Sequence, residues 1–496
     1  MVISRIFKTQ GFKNSAWTLF GSVLYPVSIL LTTPFFINRL GEEQFGIWIL
    51  INSTLQIITA LNFGLGDAII KFASQYSIAS SYEKINEIIK SCLLLTTIIS
   101  LIVVVAGFSL SYYIESNNFF KVSAEYSSLV ATSFNIALLI FVLKFFDINF
   151  LAIFQGFNRY DISSRLSLIC RILILAANFT CVLLGLDLVA LFSSTLLIQA
   201  LFLVLEILTI KKQYPNIKLS PMLKVSAIKK ILSFGIWSWL QSLVGMITIQ
   251  IDKLIVGYFS GMEILSYYAL GSMLTIQLHT IFLSVSGWIF PAVSKRTESG
   301  QSLSIFYVNA NTLLLMFGFS SIITVLLLKD PLMSFWLGPE IYNKSSVYIE
   351  LFLFYNLFLL PLVMPYFFLN GSGFVKHNTV SEFILKTSNI LAMVIFYRLF
   401  GNVGLVWGLI LSTAFNIPLK VTLLRKYALK EKRNWFGLEH IIPSLSIVLF
   451  FMSDNIIIKL LACVMATSSF YFVAFKPSTI LSYMLNPRKN DTDKDK

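Results

Sequence analysis

The chain has 496 residues, 56% of them hydrophobic and 12% charged, with a mean hydropathy of +0.79. A water-soluble core could not hide so much apolar side chain, so the composition excludes a soluble globular protein and points to a multi-span membrane protein. The net charge of +14 raises the question of nucleic acid, but the 38 Lys and Arg residues are spread over many short loops, form no continuous basic face and exclude that partner.

Taking about 20 residues for one crossing of the hydrocarbon, the first block of predicted spans lies at 15–38, 44–64, 91–113, 128–154, 166–186 and 188–210. Residues 1–15 are basic, and the long span after them lacks a small-residue cleavage site, so no removable signal peptide is expected. Gly64 and Gly66, in the stretch Asn62–Gly66, permit a tight exit from the second span; the stretch is not a phosphate loop, because the Lys-Ser/Thr and the preceding strand are missing. A linker over 211–230 follows, with Lys211, Lys212, Lys218, Lys224, Lys229 and Lys230 beside Pro215 and Pro221, and reads as the joint between halves. The second block gives spans at 231–259, 264–292, 304–328, 347–370, 378–400 and 403–424. A last pair, at 437–453 and 455–475, has no counterpart in the first block and leads into a polar tail, 476–496. The expected fold is all-α, with about 14 transmembrane helices: a six-helix lobe over 1–210, a second over 231–425, and the extra pair over 437–475.

The two blocks echo each other in order. Trp17, Gly41, Glu43 and Trp48 meet Trp237, Gly261, Glu263 and Tyr268 at a spacing of 220. Gly156-Phe157-Asn158-Arg159 meets Gly373-Phe374-Val375-Lys376, and Leu188-Val189 meets Leu405-Val406, at 217. Such self-similarity marks an internal duplication, and a duplicated bundle in lipid is the layout of a transporter. Lys and Arg alone set orientation. With a cytoplasmic N-terminus, the loops and tails on that side hold 29 of the 38, while the outer loops hold six, namely Arg39, Lys121, Lys329, Lys344, Arg398 and Lys459. Both termini are therefore expected in the cytoplasm. An even number of spans per block makes the halves parallel repeats related by an axis along the membrane normal.

Ionisable groups at membrane depth are costly unless they face a cavity or a partner, which makes each a candidate site. Lys144 and Asp147 are three apart and Glu382 and Lys386 four apart, so each pair shares a helix face and can neutralise itself. Arg165 and Arg171 lie on the cytoplasmic entry of the fifth span, where a guanidinium can grip two phosphate oxygens. Asp252 and Lys253 are neighbours on the seventh span, about 100° apart around the helix and poorly placed to pair. Glu206 is near enough to the cytoplasmic end to snorkel to the headgroups. His279, beside Gln277, sits in the middle of the eighth span, where an imidazole can carry protons or pack through a hydrogen bond. Cys92, Cys170, Cys181 and Cys463 all fall in apolar stretches without ligand-like spacing and read as small packing residues. No metal-ligand cluster, nucleophile with a base or soluble domain suggests an enzyme, and no cofactor is expected.

Four motifs together resemble one family. Arg39-Leu40-Gly41-Glu42-Glu43-Gln44-Phe45-Gly46-Ile47-Trp48, Phe63-Gly64-Leu65-Gly66-Asp67-Ala68, Gln155-Gly156-Phe157-Asn158-Arg159-Tyr160 and Ile251-Asp252-Lys253-Leu254-Ile255-Val256-Gly257 look like the Wzx-type polysaccharide flippases of the multidrug, oligosaccharidyl-lipid and polysaccharide export superfamily. The resemblance covers roughly residues 10–425, and the terminal helix pair is similar to that of many polysaccharide members. It implies an undecaprenyl-diphosphate-linked oligosaccharide as substrate, turned from the cytoplasmic to the periplasmic leaflet of a bacterial inner membrane. It also implies two lobes rocking around a hydrophilic, often cationic cavity, coupling to a proton or sodium gradient, and association with a polysaccharide polymerase and a chain-length regulator. A diphosphate crossing hydrocarbon needs fixed positive charge, and Lys144, Arg165, Arg171, Lys253 and Lys386 are available for it. Asp147, Asp252, His279 and Glu382 are the candidates for ion coupling or pairing, and Asn178, Gln241, Thr248 and Gln250 suit sugar hydroxyls. The nearest rival, a drug or cation antiporter of the same superfamily, favours an acidic, aromatic cavity and twelve spans. A membrane polysaccharide polymerase needs a large periplasmic loop, whereas the longest outer connection here is about Lys329 to Val347.

Overall fold

The computed structural model describes residues 27–78, 81–117, 120 and 122–430, with the single positions 458, 461 and 464. The start of the first span, the terminal pair at 437–453 and 455–475, the tail, and the side chains of Gln241 and Thr248 lie outside the described residues. Among those residues nine helices are long and apolar enough to cross a membrane, with a shorter apolar helix at Val27–Leu40, and none forms a strand. The chain is a multi-pass, all-α membrane protein. Its described helices are α1 (Val27–Leu40), α2 (Glu42–Thr59), α3 (Leu65–Ile78), α4 (Tyr82–Asn117), α5 (Ser127–Gly156), α6 (Tyr160–Leu183) and α7 (Leu188–Gln213). They continue with α8 (Val225–Ser286), α9 (Ile289–Glu298), α10 (Ser304–Leu327), α11 (Lys329–Leu337), α12 (Pro339–Leu359), α13 (Val363–Gly371) and α14 (Val375–Leu423). The structure divides into two compact units, Met1–Ala269 and Leu270–Lys496.

In the first unit α5 is the hub, packed against α2, α3, α4 and α7. Its spanning window is 50% buried inside the protein, against 22% for α4 and α6, which leave more of their surface to lipid. Hydrocarbon gives helices little apolar drive to associate, so close packing of small residues takes over. Gly107 is covered by Leu138, and a Cβ at Gly46 would fall 2.0 Å from the Met262 carbonyl oxygen. The end of the unit that carries the linker holds an apolar core. There Leu65, Ile69 and Phe72 of α3, Ile85 and Ile89 of α4, Phe150 and Phe154 of α5, and Ile217, Ala227 and Ile231 form one core. The exit from α2 is as its sequence requires: Phe63 and Gly64 are left-handed (φ 49° and 67°), and the Asn62 side chain accepts the Gly64 N–H at 2.9 Å.

In the second unit the hub is the stretch Pro339–Gly371, whose spanning window is 83% buried. α14 is long enough to cross twice and reverses at Gly401 (φ 64°, ψ −147°). Its two arms zip together from the bend outward. A Cβ at Gly404 would fall 2.0 Å from the Phe396 carbonyl oxygen, and one at Gly408 would strike the Ala392 backbone, so only glycine lets the arms approach this closely. Beyond them Ser412 and Thr413 donate to the Asn389 carbonyl, and Asn416 donates to Ser388 at 2.8 Å.

Several local arrangements occur once in each unit or at matching breaks. α2 starts after Gly41 (φ 82°, ψ 165°), and α8 bends at Gly261 (φ 83°, ψ −179°), the two glycines being 220 residues apart. Only glycine occupies that backbone region at low cost. A Cβ at Gly156 would meet the Ala73 Cβ at 2.7 Å, and one at Gly371 would meet the Val293 Cβ at 2.8 Å. The sequence register sets Gly156 against Gly373, and these close approaches stand at Gly156 and Gly371. The turn after α5 places its left-handed residue at Asn158 and the turn after α13 places it at Gly373, so conformation and not residue identity aligns the two turns.

Candidate functional site

Two charged clusters, one in each unit, and one buried ion pair gather most of the intramembrane ionisable residues. In the first cluster α5 contributes Lys144 and Asp147, α6 Arg171, and α7 Glu206. Asp147 lies nine residues before the end of α5, and Glu206 lies seven before the end of α7. At 1.5 Å per residue both therefore sit about 10–14 Å from the same end of the unit. Their carboxyl groups meet in a hydrogen bond, with the charges of Lys144 and Arg171 acting on Asp147. Glu206 is 1% exposed. That corrects the expectation that it snorkels to the headgroups: α5 packs over it, and Asp147 supplies a nearer polar partner than water. Cys170 lies against Gln199 beside the cluster, its Sγ 3.9 Å from Oε1. Cys92 and Cys170 are buried free thiols, Cys92 in the apolar core and Cys170 beside polar and charged groups, whereas Cys181 is half-buried and Cys463 lies outside the described residues.

The second cluster lies at the open end of the α14 hairpin. Glu382 comes nineteen residues before Gly401 and Lys420 nineteen after, about 28 Å from the bend on each arm. Their side chains form an ion pair, with Lys420 2% exposed and its ammonium 5.6 Å from the centre of the Tyr366 ring. The expected Glu382–Lys386 pair is corrected by this contact. The hairpin brings Lys420 directly onto the carboxylate, and Lys386, one turn along the same arm, acts on it from farther away. His279 of α8 feels both Lys386 and Glu382, and its Nδ1 has no hydrogen-bond partner. With a neutral His279, this cluster holds two cations and one anion.

Asp252 and Lys253 also depart from expectation. The Lys253 Nζ lies 3.3 Å from the Asp252 Oδ1, and the Tyr268 hydroxyl donates to Oδ2 at 2.8 Å. The 100° between their Cα–Cβ directions does not separate them, because the four-carbon lysine stem folds back over the helix; Lys253 is 6% exposed and the carboxylate lies within its reach. One turn away the Gln250 amide donates to the Gln56 Oε1 at 2.8 Å.

Of the remaining candidates, Arg165 is exposed on the second turn of α6. Asn178 accepts hydrogen bonds from Ser194 (3.0 Å) and Thr195 (3.3 Å) of α7, so its carbonyl holds two helices together. Asn389 plays the same part for Ser412 and Thr413 in the second unit. Sequence reasoning missed Lys420 and the burial of Glu206. Both left a trace: Gln199 and Glu206 are seven apart, and Ser412, Asn416 and Lys420 four apart, so each set draws a polar stripe along an otherwise apolar helix.

The arrangement can hold an anionic group against buried cations. Among the described residues no group of His, Cys, Asp and Glu has the makings of a metal site.

Known proteins agree with this architecture. The inward-facing conformation of a multidrug resistance MATE family transporter of the MOP superfamily superposes with a TM-score of 0.68 at 15% identity, covering 84% of this chain and 99% of its own. The lipid II flippase MurJ, in an inward closed conformation, gives a TM-score of 0.65 at 17% identity over 95% of this chain and 99% of its own. These likenesses establish the fold. In sequence, the uncharacterized membrane protein MJ1068 of Methanocaldococcus jannaschii is 22% identical over 482 residues, 92% of this chain and 93% of its own. The uncharacterized membrane protein EpsK of Bacillus subtilis is 23% identical over 402 residues, 78% of this chain and 77% of its own. The model of the polysaccharide biosynthesis protein family matches residues 12–297, more than half of the chain, and the chain belongs to that family.

Proposed function

We propose that the protein is a flippase that moves an undecaprenyl-diphosphate-linked oligosaccharide, an O-antigen or capsule repeat unit, from the cytoplasmic to the periplasmic leaflet of a bacterial inner membrane by alternating access. The observation that carries this reading is the positive charge gathered in both clusters: Lys144 and Arg171 stand beside Asp147 and Glu206, and Lys386 and Lys420 face one Glu382. A diphosphate leaving water needs such fixed cations, whereas a cationic drug would be repelled. Family membership supports a polysaccharide substrate, and the fold supports a transporter.

The Asp147–Glu206 pair is the proposed coupling site, since carboxyls that lose Lys144 and Arg171 to a phosphate become more basic and can take up a proton. Arg165, exposed near the entry of α6, is placed to meet the headgroup first. Two parallel six-helix repeats, an additional terminal pair and cytoplasmic termini complete the reading. The matching glycine breaks and asparagine clamps support the repeats, and the 95% coverage by MurJ against 84% by the MATE transporter supports the extra pair. Polysaccharide polymerase and chain-length regulator are the proposed partners.

The test is complementation of a flippase-deficient strain, with chemical analysis of the glycan that reaches the surface and a parallel assay of cationic-dye efflux. Restored surface polysaccharide without dye efflux is the expected result; dye efflux without polysaccharide would make the protein a drug antiporter.

A further inference from the structure

The segment between α7 and α8 is not a slack joint. Residues 214–224 lie along the first unit and are fastened to α4. The Asn86 side chain pairs with the segment as a neighbouring strand would, donating to the Asn216 carbonyl at 2.9 Å and accepting the Lys218 N–H at 2.7 Å. The Met222 N–H donates to the Lys90 carbonyl, and Lys224 forms an ion pair with Glu87. Tyr214 stacks on Phe157 at 4.3 Å, and Ile217 is buried in the core. The segment that the sequence reads as a joint is thus held in place: its Asn216 and Lys218 backbone groups and its apolar Ile217 have partners on the first unit.

The outward edge of this fastened strap has a composition that the docking does not use. Met222, Leu223 and Val225 are 49%, 64% and 71% exposed. Around them Lys211, Lys212, Lys218, Lys229 and Lys230 are exposed, and residues 211–230 contain no Asp or Glu. The strap joins the end of α7 at Gln213 to the start of α8 at Val225, both spanning helices, so eleven residues held flat on the protein remain at headgroup level. Apolar side chains set among lysines at that depth are complementary to the interface of an anionic leaflet: the apolar groups enter the acyl boundary and the ammonium groups meet phosphates.

We infer that the strap is an anionic-lipid docking surface, with Met222, Leu223 and Val225 inserted into the interface and Lys212, Lys218 and Lys229 bound to lipid phosphates. Because the strap is fixed to α4, it anchors the first unit to the leaflet. This inference is independent of what the protein transports.

The test uses the full-length protein carrying Leu223→Cys, labelled with an environment-sensitive fluorophore; the unsubstituted protein is the labelling blank for its four cysteines. The protein is reconstituted into vesicles of phosphatidylglycerol and phosphatidylethanolamine, or of phosphatidylcholine alone. In the anionic vesicles the label is expected to be shielded from iodide and quenched by brominated lipid, with iodide quenching at least twofold weaker than in phosphatidylcholine. Adding Lys212→Gln, Lys218→Gln and Lys229→Gln, which spare every contact of the docked backbone, is expected to return the anionic-vesicle result to the phosphatidylcholine level. Equal iodide access in both lipids overturns the inference. So does equal shielding in both, or shielding that persists in detergent without lipid, since either would place the edge against protein or hydrocarbon regardless of charge.

Discussion

Replacing Lys420 by Met removes the cation that Glu382 faces at the open end of the α14 hairpin. Lys420 is 2% exposed, so its side of the pair is dry; the Glu382 side chain is 32% exposed and keeps some contact with water. Breaking a fully buried pair by removing one partner costs about 3–5 kcal/mol. The partial hydration of Glu382, together with Lys386 one turn away, brings the expected loss to about 2–3 kcal/mol. The double variant Glu382→Gln/Lys420→Met removes both charges and both desolvation costs, so it is expected to recover most of that loss, leaving an interaction energy of about 2 kcal/mol in the cycle. Unfolding in mixed SDS micelles, followed by circular dichroism, measures all four proteins. A Lys420→Met protein within about 0.5 kcal/mol of the parent, or a double variant as unstable as the two singles added together, would refute the claim that this pair staples the hairpin.

Gly41→Ala meets open space but must adopt φ 82°, ψ 165°, and is expected to lose about 1–3 kcal/mol in the same assay. Asn178→Ala and Asn389→Ala remove the contacts that tie paired helices together, while the Ser and Thr hydroxyls keep the Leu191 and Leu409 carbonyls or the Tyr355 hydroxyl, and each is expected to cost about 0.5–1.5 kcal/mol. On the proposed function, Arg171→Ala cuts flipping about tenfold without loss of membrane insertion, the value of one charge-assisted phosphate contact; full surface polysaccharide in that strain removes it from the site. Lys253→Ala also lowers flipping, through an unpaired Asp252, and Lys253→Arg keeps more activity. Glu206→Gln leaves the Asp147 contact but no titrating partner, and is expected to make transport in proteoliposomes insensitive to an imposed proton gradient.

What was legible in the sequence was whatever a single helix determines. Apolar runs gave the crossings, and Gly41, Gly261 and Gly401 fall where the spans were separated, because a glycine-only backbone conformation leaves its mark in one residue. The shared face of Lys144 and Asp147 was legible for the same reason, since three residues along a helix nearly complete a turn. What depends on which helices become neighbours was not. Glu206 reads as a snorkelling residue until α5 is known to cover it, and its partner stands 59 positions earlier. Lys420 counts as one more basic residue at a span end until the bend at Gly401 carries it back to Glu382. The fastening of the strap was not legible either, because Asn86 lies 130 residues from Asn216 in sequence.

The placement of polar groups along the paired helices bears on the proposed mechanism. In α14 the contacts nearest Gly401 are glycine against backbone, then come neutral hydrogen bonds at Asn389 and Asn416, and the charged pair comes last. In the pair α6 and α7 the order from Gly185 is similar, with Asn178 binding Ser194 and Thr195 before Glu206 is reached on α7. Neutral groups that satisfy one another tolerate hydrocarbon, so the bend-proximal parts can slide through lipid as rigid bodies. Glu206 on α7 and the Glu382–Lys420 pair on α14 are kept toward the far ends, where a carboxylate can exchange its partner without being stranded in the middle of the bilayer. On this reading the lipid-linked diphosphate is first engaged at the strap-bearing end of the first unit, and the Asn178 amide, already bound to two hydroxyls, stays with the scaffold while the sugars are met by other groups.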